Sequence, residues 1–131
     1  MKVLLVDDEH ELVSTLAERL SLRGIQADWA VSGEDALNLV ENHTYDVAVL
    51  DVKIPRIGGL ELKRKLHVKA PVMKFIFMTG HGSEEEFRRC AAETKEGCYL
   101  VKPVNIEDLI QKMNDLIRER EDRPWAAIGK S

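Results

Sequence analysis

The chain has 131 residues, 44% of them hydrophobic and 32% charged, which fits one folded domain and excludes an intrinsically disordered chain. Its 19 basic and 23 acidic residues give a net charge of -4, so we expect no direct nucleic-acid binding by this domain. No apolar stretch reaches the length of a membrane span, and the two cysteines form no CxxC motif. These features predict a cytoplasmic protein with no membrane contact and no disulfide framework.

The first half of the chain alternates between short apolar segments and segments with helical spacing of apolar residues. Gly24 stands where a glycine commonly ends a helix, and Ser32 with Asp35 resembles a capping box that opens the next helix. The predicted elements are a strand over Lys2–Val6, a helix over Glu9–Arg23, an edge strand over Ile25–Val31, a helix from Ser32 to about Asn42 and a strand over Asp46–Leu50.

The second half continues the same alternation. Ser83 with Glu86 forms a second capping-box pattern, and Asn105 is placed to cap the last helix. The predicted elements are a helix over Leu60–Val68, a strand over Lys74–Met78, a helix over Ser83–Thr94, a strand over Cys98–Val101 and a helix with an apolar stripe from Ile106 to Ile117.

Five strand–helix units in a row predict an α/β fold. Such units form a doubly wound parallel five-stranded sheet with helices on both faces, joined by right-handed crossovers. We assign residues 1–120 to this domain, and residues 121–131, which lose the helical periodicity, to a C-terminal tail or the start of a linker.

Polar side chains follow four of the predicted strands at the point where each strand ends. They are Asp7 and Asp8 after the first strand, Asp51 after the third, Thr79 after the fourth and Lys102 after the fifth. Functional sites of open parallel sheets lie at this carboxyl edge. A helix N-cap could explain one such residue, but it is a weak explanation for four strands at once.

These side chains suit phosphoryl transfer. Three carboxylates at one place repel one another unless a cation is present, and hard oxygen ligands suit Mg²⁺. A lysine ammonium and a threonine hydroxyl can bind phosphoryl oxygens, and a carboxylate can accept a phosphoryl group covalently. The sequence therefore indicates a magnesium-dependent phosphoryl site.

The same residues resemble the receiver domains of bacterial two-component response regulators, of the chemotaxis-receiver type. The resemblance covers about residues 1–119 and implies the flavodoxin-like strand order 2-1-3-4-5. Its motifs are Val6-Asp-Asp-Glu9, Asp51-Val-Lys-Ile-Pro55 with Gly59, Thr79-Gly-His-Gly-Ser83 and Tyr99-Leu-Val-Lys102-Pro103.

The resemblance implies a role for each residue of the site. Asp51 would accept a phosphoryl group from a sensor histidine kinase or a phosphotransfer protein. Asp8, Asp51 and the backbone carbonyl of Lys53 would bind Mg²⁺ directly, and Asp7 would act through water. Lys102 would bind the phosphoryl group.

The resemblance also implies a phosphorylation-dependent signalling switch rather than an enzyme. Thr79 would move toward the phosphoryl group and Tyr99 would turn inward, which changes the surface of the Ser83–Thr94 helix, the fifth strand and the last helix. That surface would control a downstream protein partner or a fused effector domain, with a phosphorylation-dependent homodimer as a further option.

Three other functions remain open at this stage, each with a feature against it. An aspartate-nucleophile phosphatase needs an acid two residues after the nucleophile, where this chain has Lys53. A flavodoxin-like cofactor module needs a phosphate-binding loop after the first strand, where this chain has three acids. A docking module that is never phosphorylated does not explain the acid cluster.

The chain departs from the family pattern over Thr94–Cys98. Lys53 and His81 occupy the two variable positions that flank the phosphorylation site, and they predict a moderately long-lived phosphoryl group.

Overall fold

The computed structural model describes residues 1–80, 88 and 99–122. The strands are β1 (Lys2–Val6), β2 (Gln26–Ala30), β3 (Val47–Asp51), β4 (Lys74–Thr79) and β5 (Tyr99–Val101). The helices are α1 (His10–Leu22), α2 (Gly33–Asn42), α3 (Gly59–Lys69) and α4 (Ile106–Asp122). Within these ranges, none of the helices combines the length and the apolar character that crossing a bilayer requires.

All five strands pair in parallel in the order β2-β1-β3-β4-β5, which confirms the predicted fold and strand order. The register aligns Val6 with Leu50, Asp51 with Met78 and Thr79 with Val101. The strands therefore end at the same edge of the sheet.

The core lies on both faces of the sheet. Buried residues of α1 and α4 pack on one face, and buried residues of α2 and α3 pack on the other. The central strand β3 is buried at every position, since both of its faces are covered. The edge strand β2 is only partly buried, as its alternating sequence predicted.

Side-chain caps fix the start of two helices. The Ser32 hydroxyl accepts a hydrogen bond from the backbone N–H of Asp35 at 3.1 Å, which begins α2. The Asn105 carboxamide oxygen accepts from the N–H groups of Glu107 and Asp108 at 2.8 and 3.1 Å, which begins α4. Both caps were predicted from the sequence. Gly24, with φ 78°, follows α1 in the left-handed conformation expected there.

Several predictions fall on parts of the chain that the structure does not describe. They are the helix over Ser83–Thr94 with its capping box, His81, the departure at Thr94–Cys98, and the tail after Asp122. Helix α4 continues through Asp122, so the described chain reaches the first residues assigned to the tail.

Candidate functional site

The buried polar side chains of the described chain gather at the carboxyl edge of the sheet. They are Asp7, Asp51 and Thr79, which are 0%, 6% and 7% exposed. Asp7 follows β1, and Asp51 and Thr79 are the last residues of β3 and β4. Burial of polar groups is unfavourable without partners, so their concentration at one place indicates a functional site.

Three carboxylates form the acidic part of this site. Asp7, Asp8 and Asp51 each offer an oxygen, and these oxygens lie within 4.8 Å of one another. Asp8 is exposed, whereas Asp7 and Asp51 are buried. Among the described residues, the buried Asp7 Oδ2 atom has no hydrogen-bond partner. A set of hard oxygen donors, most of them buried, fits a divalent cation such as Mg²⁺.

Lys102 supplies the positive charge of the site. Its Nζ atom lies 2.6 Å from Asp7 Oδ2, 3.1 Å from Glu9 Oε1 and 3.5 Å from Asp51 Oδ2. The contact with Glu9 has hydrogen-bond geometry, whereas the shorter contact with Asp7 Oδ2 is an ion pair without it. The Lys102 side chain is 18% exposed, so solvent screens these contacts only in part.

The local charges shift the pKa of Asp51. Burial, followed by repulsion from Asp7, raises this pKa from 3.8 to about 6, although Lys102 and the Lys53 N–H act in the opposite direction. For Lys102, burial alone lowers the pKa, but the carboxylates of Asp7, Asp51 and Glu9 outweigh burial and raise it. The lysine therefore stays charged, while Asp51 carries its charge at an energetic cost.

The backbone after β3 fixes the position of Asp51. The Val52 N–H donates to the Met78 carbonyl at 3.0 Å, and the Gly59 N–H donates to the Val52 carbonyl at 3.0 Å. A Cβ atom at Gly59 would lie 2.4 Å from the Asp51 carbonyl oxygen, so this close approach requires glycine. Lys53 is exposed, and its N–H lies 3.4 Å from Asp51 Oδ1.

The two predicted switch residues lie on neighbouring strands. Thr79 is buried at the end of β4, and its carbonyl accepts a hydrogen bond from the Lys102 N–H at 2.7 Å. Tyr99 lies on the edge strand β5, opposite Phe77, and is 39% exposed. The structure therefore places Thr79 at the carboxyl edge of the sheet, bonded through its backbone to Lys102, and it leaves Tyr99 at the protein surface.

One residue of the site received no role from the sequence. Glu9 contacts Lys102, and its backbone N–H donates to Asp7 Oδ1 at 2.9 Å. The sequence did contain a signal for Glu9, because Glu9 is the third acid in the Asp7-Asp8-Glu9 run. A carboxylate that directly follows two predicted metal ligands is expected to lie near the same site.

Comparisons with known proteins agree with this geometry. The family model of the response regulator receiver domain matches residues 3–114. The response regulator MprA of Mycobacterium sp. (strain KMS) is 33% identical over 118 residues, which are 90% of this chain and 51% of the relative. The chain thus spans about half the length of such curated relatives.

Solved structures show the same similarity. A CheY-like response regulator receiver domain protein from Methanospirillum hungatei JF-1 is 31% identical, with a TM-score of 0.81 over 92% of this chain and 95% of that chain. The BeF3-activated DrrB receiver domain is 26% identical, with a TM-score of 0.75 over 89% of this chain and 97% of that chain. The sheet order, the site at its carboxyl edge and the family match lead to one conclusion. The chain belongs to the response regulator receiver domains of two-component signal transduction.

Proposed function

We propose that Asp51 accepts a phosphoryl group from a histidine kinase or a phosphotransfer protein, and that the modification switches the surface of the domain. The observation that carries this proposal is the position of Asp51, between a second buried acid and the Lys102 ammonium, 3.5 Å away. Phosphoryl transfer depends mainly on positioning and on neutralising charge, and this site supplies both.

The proposed step transfers phosphorus from nitrogen to oxygen. A lone pair of one Asp51 carboxylate oxygen forms a bond to the phosphorus of a phosphohistidine, and the phosphorus–nitrogen bond breaks. The electrons of that bond pass to the imidazole nitrogen, which takes up a proton from solvent. Lys102 donates to a phosphoryl oxygen, and the Thr79 hydroxyl is available to a second one.

The acid cluster is suited to hold Mg²⁺. Asp8, Asp51 and the Lys53 carbonyl would be direct ligands, and Asp7 would act through water. The ion would neutralise the charge that gathers on the carboxylates and on the phosphoryl oxygens. The close approach of three carboxylate oxygens and the raised pKa of Asp51 support this assignment, because a cation would offset the repulsion between the carboxylates.

The output of the switch is a surface change rather than a turnover reaction. Thr79 would move to the phosphoryl group, and Tyr99, which is exposed on β5, would turn inward. Lys53 stands where an aspartate-nucleophile phosphatase needs an acid, which supports a phosphoacceptor over an enzyme. Receiver domains work with histidine kinases and effectors, and the effector of this one would be a separate protein, a fused domain or a second copy of the chain.

Intact mass spectrometry tests the proposal. Wild type, Asp51→Asn and Asp108→Asn are incubated with acetyl phosphate and Mg²⁺, where Asp108 is an exposed aspartate in the first turn of α4. Wild type and Asp108→Asn should gain one phosphoryl group, and Asp51→Asn should gain none. Equal modification of wild type and Asp51→Asn, or of neither, would show that Asp51 is not the acceptor.

A further inference from the structure

At rest the Lys102 ammonium is shared among several carboxylates. A lysine ammonium has three N–H donors. Three carboxylates surround Nζ, with Asp7 at 2.6 Å, Glu9 at 3.1 Å and Asp51 at 3.5 Å. A phosphoryl group on Asp51 would therefore compete with the other carboxylates for the Lys102 ammonium.

The Glu9 contact is the one that the protein can release at least cost. The Asp7 side chain is 0% exposed, so a broken Asp7 contact would leave a buried charge without its nearest counter-ion. The Glu9 side chain is 65% exposed, so water can replace Lys102 around its carboxylate. Of these two carboxylates, Glu9 is therefore the one from which Lys102 separates at the lower cost in free energy.

Within the described chain, the hydrogen bond and ion pair of the Glu9 side chain both go to Lys102. Glu9 precedes the first turn of α1, but its side chain makes no capping hydrogen bond there. Its backbone N–H is held by Asp7 Oδ1 at 2.9 Å, which directs the chain back toward the site. The backbone of Glu9 is thus held in place by Asp7, and the Glu9 carboxylate is left to contact Lys102.

We propose that Glu9 is a positioning residue that holds Lys102 in its resting contacts and so lowers the affinity of the site for a phosphoryl group. This inference rests on the proposed phosphorylation of Asp51. In this proposal Glu9 determines how easily Lys102 can turn to the phosphoryl group. Asp7, Asp8 and Asp51 supply the metal ligands, and Asp51 is also the phosphoacceptor.

Fluoroberyllate, an anionic mimic of a phosphoryl group, is the probe. Its dissociation constant is measured by fluorine NMR at saturating Mg²⁺ for wild type, Glu9→Gln, Glu9→Asp and Glu11→Gln. Glu9→Gln removes the ion pair, and Glu9→Asp keeps the charge but draws the carboxylate back from Nζ. Glu11→Gln makes the same change of charge at an exposed residue that is not one of the three carboxylates around Lys102.

Glu9→Gln should bind the probe about two- to fivefold more tightly than wild type, which is the range expected for a partly exposed ion pair. Glu9→Asp should show a smaller gain, Glu11→Gln should equal wild type, and the differences should shrink as salt is raised. Thermal unfolding of each variant provides an independent measure of stability, which this role of Glu9 predicts to be little changed.

Two results would overturn the inference. Unchanged binding in Glu9→Gln would show that Glu9 does not compete for Lys102. Tighter binding in Glu9→Gln with no gain in Glu9→Asp would show a long-range effect of charge instead of the contact. Failure of wild type itself to bind the probe, with Asp51→Asn indistinguishable from it, would contradict the proposed function instead.

Discussion

Replacement of Asp51 by asparagine is expected to stabilise the metal-free protein at neutral pH. Burial and the nearby Asp7 carboxylate raise the pKa of Asp51 to about 6, so ionisation of Asp51 costs more free energy in the folded protein than in the unfolded chain. An unfolded chain solvates the same carboxylate freely. Asparagine has a similar shape and no charge, and it removes the repulsion.

Proton linkage gives the sign of the stability change. Between about pH 4 and pH 6 the folded state binds more protons at Asp51 than the unfolded state, so this carboxyl lowers stability as pH rises through that range. A pKa raised from 3.8 to about 6 corresponds to ~3 kcal/mol, at about 1.36 kcal/mol per pKa unit. Solvent at the open edge of the sheet screens this interaction, so we expect a gain of about 1–2 kcal/mol.

Chemical and thermal unfolding across the acid-to-neutral range measure this gain. In the presence of a chelator, the advantage of Asp51→Asn should be absent below about pH 4 and complete above about pH 7, where it corresponds to ~4–8 °C in melting temperature. Asp108→Asn makes the same chemical change at an exposed position and should show no gain. Added Mg²⁺ should stabilise wild type more than Asp51→Asn, because the variant lacks one ligand.

A wild type that is as stable as Asp51→Asn, or more stable, in the metal-free state at neutral pH would refute the reasoning. It would mean that Lys102 compensates the Asp51 charge fully across their 3.5 Å separation. A gain that persists unchanged below about pH 4 would point to packing of the amide rather than to charge.

Three further substitutions test the scaffold of the site by urea unfolding. Gly59→Ala should cost about 1–3 kcal/mol, because its Cβ would lie 2.4 Å from a backbone carbonyl, whereas Gly58→Ala meets its nearest atom at 3.8 Å and should be nearly neutral. Ser32→Ala should cost about 0.5–2 kcal/mol through loss of the α2 cap, and an unchanged midpoint would show that the cap contributes nothing. Leu66→Ala should cost about 2–5 kcal/mol because Leu66 is fully buried, while Val68→Ala, at 81% exposed on the same helix, should change stability by less than about 0.5 kcal/mol.

The positions of the strand-end residues could be predicted because they follow from periodicity alone. Apolar runs such as Val47–Leu50 are buried on both faces of the sheet, and together with the helical segments between them they are typical of a parallel sheet covered by helices. Once the strands are parallel, the residues that follow them share one edge. The prediction placed Asp7, Asp51 and Thr79 at this edge, and the structure has all three there, buried at the ends of β1, β3 and β4.

The sequence pattern was a poorer guide to the orientation of individual side chains on the edge strand β2. The alternation over Ile25–Val31 placed Trp29 on the side of Ala27 and Val31, which pack against the α1 and α4 core. Trp29 is instead 36% exposed and meets the ring of His10 edge to face at 4.7 Å. An edge strand is covered only in part, so its pattern does not specify which large residue remains at the surface.

The charge balance of the site could not be predicted because it depends on distances that differ by less than one ångström. Asp7, Glu9 and Asp51 all lie between 2.6 and 3.5 Å from Lys102. The Asp7 side chain accepts the N–H of Glu9, two residues later, and this local turn returns the third acid to the lysine. A run of three acids in a sequence does not indicate such a turn. Asp7, Asp8 and Asp51 predicted a cation site from the sequence, whereas the proposed competition between Glu9 and the phosphoryl group for one ammonium depends on the folded geometry.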